Sequence, residues 1–212
     1  TFWSVGGSWV FSEEKFVDLD WLNTGKFRVS YGTNGNRSLG DTYLSLSNLK
    51  NDYPMGYWIS GAQTVVNTLF VDRLGNPNLE WEKTTAYNVG LDFAVLDYRL
   101  TGSIEWYHKK THDMIMAKRL PNFTGFNSIT TNLGEVQNSG IEITLNSSNI
   151  QRENFTWDTS FGFSYNKNKI NHLYYEYDEN GKEIDDTSNG WFIGKPIGEI
   201  WDFEVDGIWQ LD

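Results

Sequence analysis

The stretch from Thr84 to Lys109, TTAYNVGLDFAVLDYRLTGSIEWYHK, constrains the fold more than any other part of this chain. On an extended backbone, Tyr87, Val89, Leu91, Phe93 and Val95 fall on one face, and Asn88, Gly90, Asp92 and Ala94 on the other. Past a tight turn around Leu96-Asp97-Tyr98, Leu100, Gly102, Ile104 and Trp106 oppose Thr101, Ser103, Glu105 and Tyr107. Side chains alternate along a strand, so the pattern is a β-hairpin with one apolar and one polar face. Each arm is about ten residues long, the length a tilted strand needs to cross a bilayer, against roughly five or six in a soluble sheet. An amphipathic hairpin also suits a soluble sheet, so the rest of the chain must decide.

The alternation recurs. Trp3, Val5, Gly7, Trp9 and Phe11 oppose Ser4, Gly6 and Ser8; Phe27, Val29 and Tyr31 oppose Arg28, Ser30 and Gly32. Ile141, Ile143 and Leu145 oppose Glu142 and Thr144, at the end of a strand region 129–146 expected to be interrupted near Asn138-Ser139-Gly140. The clearest strand is Phe155 to Tyr165, with Phe155, Trp157, Thr159, Phe161, Phe163 and Tyr165 outward. A last one is expected at Glu199 to Leu211, with Trp201, Phe203, Val205, Trp209 and Leu211 outward and Asp202, Glu204 and Asp206 inward. SEEKF at 12–16 reads as a short connector, since Lys15 stands where a capping box wants Glu. Three stretches lose the pattern: 34–81, with one possible strand from Gln63 to Val71, then 110–128, then 166–198. Long connections therefore follow Thr33, Lys109 and Tyr165, and short to moderate ones follow Phe11, Val95 and Asn146, where Ser147 to Asn154 reads as a polar turn. Outer-membrane barrels sort their connections in this way, whereas a soluble sandwich has no reason to.

Composition agrees. The chain of 212 residues carries 10 Trp, 11 Tyr and 13 Phe, yet its hydrophobic share is only 39%. Strands that are apolar outside and polar inside, with aromatic girdles, give that combination. No apolar run is long enough for a spanning helix, which leaves a closed barrel as the way to satisfy backbone groups in lipid. Cysteine is absent, excluding disulfides and thiolate metal sites. A net charge of -11 argues against nucleic acid and anionic surfaces as partners. The chain opens at Thr1 and stops within an expected strand, so it is read as a piece of something longer.

Several segments in order carry a resemblance: RVSYGTNGN at 28–36, Asn-Pro-x-Leu-x-Trp-Glu at 76–82, RLTGSIEWYHKKT at 99–111, TGFNSITTNLGEVQNSGIEITLN at 124–146, FGFSYNKNKI at 161–170 and IGKPIGEIWDFEVDGIWQ at 193–210. Together they resemble the SusC/RagA family of TonB-dependent outer-membrane transporters. The resemblance implies that residues 1–212 form part of one all-β, transmembrane antiparallel β-barrel of about 22 strands. It implies a plug domain and a TonB box outside this chain, and a bacterial outer-membrane location. The implied activity is TonB-coupled import of oligosaccharides or peptides, with a SusD-like surface lipoprotein as lid. The reading set beside it is a soluble all-β carbohydrate-binding module or glycosidase accessory domain.

Within this frame, Tyr53, Tyr57, Trp58, Tyr174, Tyr175, Tyr177 and Trp191 crowd the long loops. They would contact substrate or lid, or else pack the loops against one another. Arg28, Asp92, Glu105, Asp202, Glu204 and Asp206 face the lumen, toward water or the plug. Glu176-x-Asp178-x-Asn180-Gly181 imitates the start of a calcium loop, but Thr187 stands where the bidentate Glu belongs, and Asn180-Gly181 reads better as a type I′ hairpin turn. His108 and His112 have helical ligand spacing without an evident third ligand. Glu13-Glu14 and Asp185-Asp186 point to opposite faces on a strand and suit no acid/base couple, so neither catalysis nor a cofactor is expected.

Overall fold

The computed structural model describes residues 2–36, 43–59 and 62–202, with backbone alone at 52–59 and 62–68. Six strands form one antiparallel sheet in chain order: β1 (Ser4–Val10), β2 (Leu22–Asn36), β5 (Glu82–Val95), β6 (Leu100–His112), β9 (Glu135–Arg152) and β10 (Phe155–His172). Two hairpins stand outside that sheet, β3 (Asn48–Ile59) with β4 (Ala62–Arg73), and β7 (Ile115–Arg119) with β8 (Ser128–Asn132). They are inserted between β2 and β5 and between β6 and β9, at the same end of the sheet. The opposite end has tight turns at 96–99 and 153–154 and one connector, 11–21, that starts with a 3-10 turn, Phe11–Glu13. Long and short connections thus alternate as expected.

Register carries the two-faced pattern across the sheet. Val29 pairs with Val89, Val89 with Trp106, Trp106 with Ile141 and Ile141 with Tyr165. One row along, Phe27, Leu91, Ile104, Ile143 and Phe163 line up in the same way. Along β10, Trp157 and Tyr165 bracket Phe161 and Phe163 over roughly 26 Å of strand, which at a barrel strand's tilt rises about 20 Å, most of the height of an outer-membrane apolar band. All four are about half exposed, as are Trp9, Val29 and Trp106. Among the described residues the buried hydrophobics are Ala94, Val136, Ile170 and Leu173, so no second layer covers this face. A soluble sandwich would bury it; a barrel wall presents it to lipid.

Aromatic rings lean over glycines in four places. A methyl group at Gly25 would collide with the Phe11 ring, at Gly35 with Phe2, at Gly102 with Phe93 and at Gly140 with Tyr107. The ring fills the space that the missing side chain leaves, a recurrent device in curved sheets.

Several boundaries differ from expectation. The strand region 129–146, expected to break near Asn138-Ser139-Gly140, breaks instead at Leu133-Gly134, between β8 and β9, and runs unbroken through 138–140, where β6 and β10 pair with it on both sides. Ser147 to Arg152 is strand rather than turn, and β10 continues past Tyr165 to His172. The stretch 34–81 contains the first inserted hairpin, and the second begins within 110–128 and runs on to Asn132. Asn180-Gly181 does lie in a turn, but of another type: Gly181 has φ 74 and donates to Asp178 O, and Asn180 is not left-handed. That is a type I turn followed by a left-handed glycine, the three-residue hairpin loop. Of the strand expected at Glu199 to Leu211, residues 199–202 are described and are not strand, and the rest lies outside the described residues.

Candidate functional site

On the polar face, Arg28 in β2 stands beside Gly90 in β5, and Gly90 beside Glu105 in β6. Because Gly90 has no side chain, the guanidinium lies across it, and a Cβ there would sit 2.9 Å from Arg28 Nη2. Arg28 Nε donates to Asp92 Oδ2 at 2.7 Å and Nη2 to Asp92 Oδ1 at 2.9 Å. Nη2 also reaches Glu105 Oε1 at 2.5 Å, so one arginine spans three strands and holds two carboxylates. Glu142 sits directly opposite Glu105, which leaves this patch acidic overall. Three of the six residues assigned to the lumen, Arg28, Asp92 and Glu105, therefore form one cluster. Asp202 is exposed, and Glu204 and Asp206 fall outside the described residues.

At the long-loop end, the chain after β10 folds back over the same polar face. Ile170 N donates to Lys195 O and Gly194 N to Ile170 O, both at 2.8 Å, and Ile197 N donates to Asn168 Oδ1. This places Val136, Ile170 and Leu173 in a small core with Met114, Met116, Tyr174, Trp191 and Ile193. Two carboxylates organise the returning loop. Glu183, 8% exposed, accepts from Leu173 N and Tyr175 N and pairs with His172 Nδ1 at 2.7 Å. Asp186 accepts from the Ser188 hydroxyl, from Asn189 N and Nδ2, and from the Tyr174 hydroxyl at 2.8 Å. Burial alone would raise the Asp186 carboxyl, but those hydrogen bonds outweigh it and hold the group at about 2. Burial and the Asp186 charge push the Tyr174 hydroxyl up to about 12.

A groove of ≈ 300 Å³ opens beside this loop, lined by Lys118, Arg119, Tyr174, Glu176 and Asp185 among others. Lys118 Nζ pairs with Glu176 Oε1 at 2.9 Å, and Arg119 Nη2 donates to Ser188 Oγ at 3.2 Å, joining β7 to the loop. The Asn-Pro-x-Leu-x-Trp-Glu segment acts as a clamp on the same hairpin. Asn76 Nδ2 donates to Thr130 O, and Glu82 Oε1 accepts from Ile115 N. Asn132 accepts from Glu80 N and donates to Glu80 O and Asp113 O.

Of the loop aromatics, Tyr174 and Trp191 pack on the small core, Tyr175 stacks on His172 with centroids 4.9 Å apart, and Tyr177 is exposed. The side chains of Tyr53, Tyr57 and Trp58 are outside the described residues. Asp178 spends its carboxylate on its own turn, accepting from Asn180 N and Lys182 N. His108 and His112 lie on a strand, where i, i+4 means about 13 Å rather than one helical turn. Lys118, Arg119, His172, Glu183 and Asn132 escaped sequence reading. Only Asp-Thr-Ser-Asn-Gly at 186–190 carried a signal, since Asp followed by Ser, Asn and Gly is turn chemistry.

The model of the family described as TonB dependent receptor-like, beta-barrel matches residues 1–200. TonB-dependent receptor P3 of Formosa agariphila is 34% identical over 214 residues, covering 96% of this chain and 20% of that protein. TonB-dependent receptor SusC of Bacteroides thetaiotaomicron is 37% identical over 180 residues, covering 82% of this chain and 17% of its own length. Among solved structures, the RagAB peptide transporter superposes with a TM-score of 0.73 at 27% identity, over 92% of this chain and 20% of that one. The chain spans about a fifth of the length of these relatives. Two-faced strands, sorted connections and these likenesses agree: the chain belongs to the TonB-dependent receptor β-barrel family, in its SusC/RagA branch.

Proposed function

We propose that this chain is part of the barrel wall, with extracellular loops, of a transporter that imports a nutrient across the Gram-negative outer membrane. The observation that carries the reading is the sheet itself, with one face apolar through the consecutive rows of Val89, Leu91 and Phe93 and long connections at one end only. Residues 1–212 belong to a single barrel domain, and a plug and a TonB box are supplied by other parts of the parent protein. TonB drives plug displacement, a SusD-like lipoprotein covers the outer mouth, and the cargo is an oligosaccharide or a peptide. The name SusC among the relatives and the RagAB peptide transporter among the structures support this class of activity and leave both cargoes open. The Arg28 cluster is the contact for cationic plug side chains, and Tyr175 and Tyr177 offer the exposed aromatic surface to lid or cargo. Strand rows that solvate a lumen and loops that fill in over its mouth suit passage rather than chemistry.

The experiment is a deletion of the parent gene, followed by uptake assays with labelled oligosaccharide and peptide pools. Uptake of one pool should fall, should return with the full-length protein and should not return without its TonB box. Uptake unchanged for both pools, or rescue independent of TonB, would refute the importer reading.

A further inference from the structure

We infer that the outward face of β6, β9 and β10 carries a binding site for a phosphate-bearing lipid of the outer leaflet. The inference rests on the membrane reading above and goes beyond it. Three consecutive register rows on the outward face, those of Val89, Leu91 and Phe93, contain no charged residue from β5 to β10. The next row toward the long loops holds Tyr31, Tyr87, His108, Ser139 and Lys167, and the row beyond it Thr33, Thr85, Lys110, Gln137 and Lys169. Charge thus appears abruptly at the outer rim of the apolar band, and it is positive. This happens in a chain whose net charge is -11.

The geometry is compact. Same-face neighbours on one strand are about 7 Å apart, and β6 lies about 10 Å from β10 across β9. Lys167 and Lys169 on one side and His108 and Lys110 on the other therefore frame Ser139 and Gln137. Lys110 is engaged by Glu135 at 2.9 Å, whereas Lys167 and Lys169 form no ion pair among the described residues. The His108 ring stacks on Trp106, 6.3 Å away, which fixes it against the strand face. Ser139, between His108 and Lys167 in the same row, is short enough to leave a dip where a headgroup oxygen would meet donors from both flanking strands.

Both halves of the ligand are specified by what lies side by side. Tyr165, Ile141 and Trp106 directly beneath offer a surface for acyl chains, and the lysines above offer donors to a phosphate at the headgroup level. A free anion would use only the upper half, and a neutral lipid only the lower.

The test uses the full-length receptor in detergent, titrated with lipid A and with enzymatically dephosphorylated lipid A, and bound lipid is counted by native mass spectrometry. Wild type should bind the phosphorylated form saturably and the dephosphorylated form at least tenfold more weakly. Lys167→Ala with Lys169→Ala should weaken binding roughly 10- to 30-fold, whereas Lys118→Ala in the loop groove should leave it unchanged. Inorganic phosphate at equal concentration should not compete. Equal binding of the two lipids to wild type overturns the site whether or not the double variant assembles, and so does undiminished binding by an assembled double variant. A receptor that partitions into water without detergent overturns the membrane reading beneath it, a separate result.

Discussion

At the scale of the residue, space and facing decide more than polarity. A methyl group at Gly140 would run into the backbone oxygen of Tyr165 and the Tyr107 ring, and the Tyr165 carbonyl cannot yield without moving a strand. Nothing lies within 4 Å of the same position at Gly162. Gly140→Ala is therefore expected to destabilise the folded barrel by about 1–3 kcal/mol, and Gly162→Ala to be close to neutral, as read by urea unfolding in micelles. Neighbours on opposite faces give a second contrast. Leu91→Arg should cost about 2–4 kcal/mol at the middle of the apolar band. Asp92→Asn weakens its pairing with Arg28, but these groups are about one-third exposed, so roughly 0.2–1 kcal/mol is expected. Equal effects would mean that the facing of β5 is reversed.

Elements differ in how well the sequence announces them. β5, β6 and the first part of β10 were legible because one face must be apolar at every second position, and Phe161, Phe163 and Tyr165 obey that without exception. β3 and β7 were not, since outside the apolar band no face is imposed and their residues follow local contacts instead; β4 showed only as the strand at Gln63 to Val71, and β8 only as the start of the region 129–146. Asn132 shows the difficulty: its three hydrogen bonds reach Glu80 and Asp113, far along the chain, and no local pattern encodes that. Asn132→Ala should raise amide exchange in 113–134 several-fold while the barrel keeps its heat-modifiable migration on gels. The loop after β10 should respond to acid. The Asp186 carboxyl is lowered from 3.8 to about 2, so its contribution is complete above pH 4 and disappears as pH falls toward 2. Trp191, which bridges Asp186 through two backbone hydrogen bonds of 2.9 Å, should report that loss as a fluorescence change. Asp186→Asn should abolish the transition, and an unaltered profile would assign it to another group.

Across the whole molecule, sorted connections imply a fixed orientation. Cysteines at Asn122 and Asn180 should react with an impermeant thiol reagent on intact cells, and those at Asp97 and Glu153 only after the outer membrane is opened; the reverse would invert the wall. The broad site was legible in part: Arg28, Asp92 and Glu105 could be assigned to one face by alternation, but their meeting depends on Gly90 and on the register of three strands. The register itself has a consequence for how such a wall can change in descent. Each strand of the main sheet is bonded to neighbours that share its rows, so losing one residue from the middle of β5 would exchange its inner and outer faces beyond that point. Losing two would restore the facing and merely shorten the crossing. Insertions and deletions that survive in the strands should therefore come in even numbers, while those in 37–81, 113–134 and 173–198 are free of that rule, and lineages should differ in length mainly at the outer mouth.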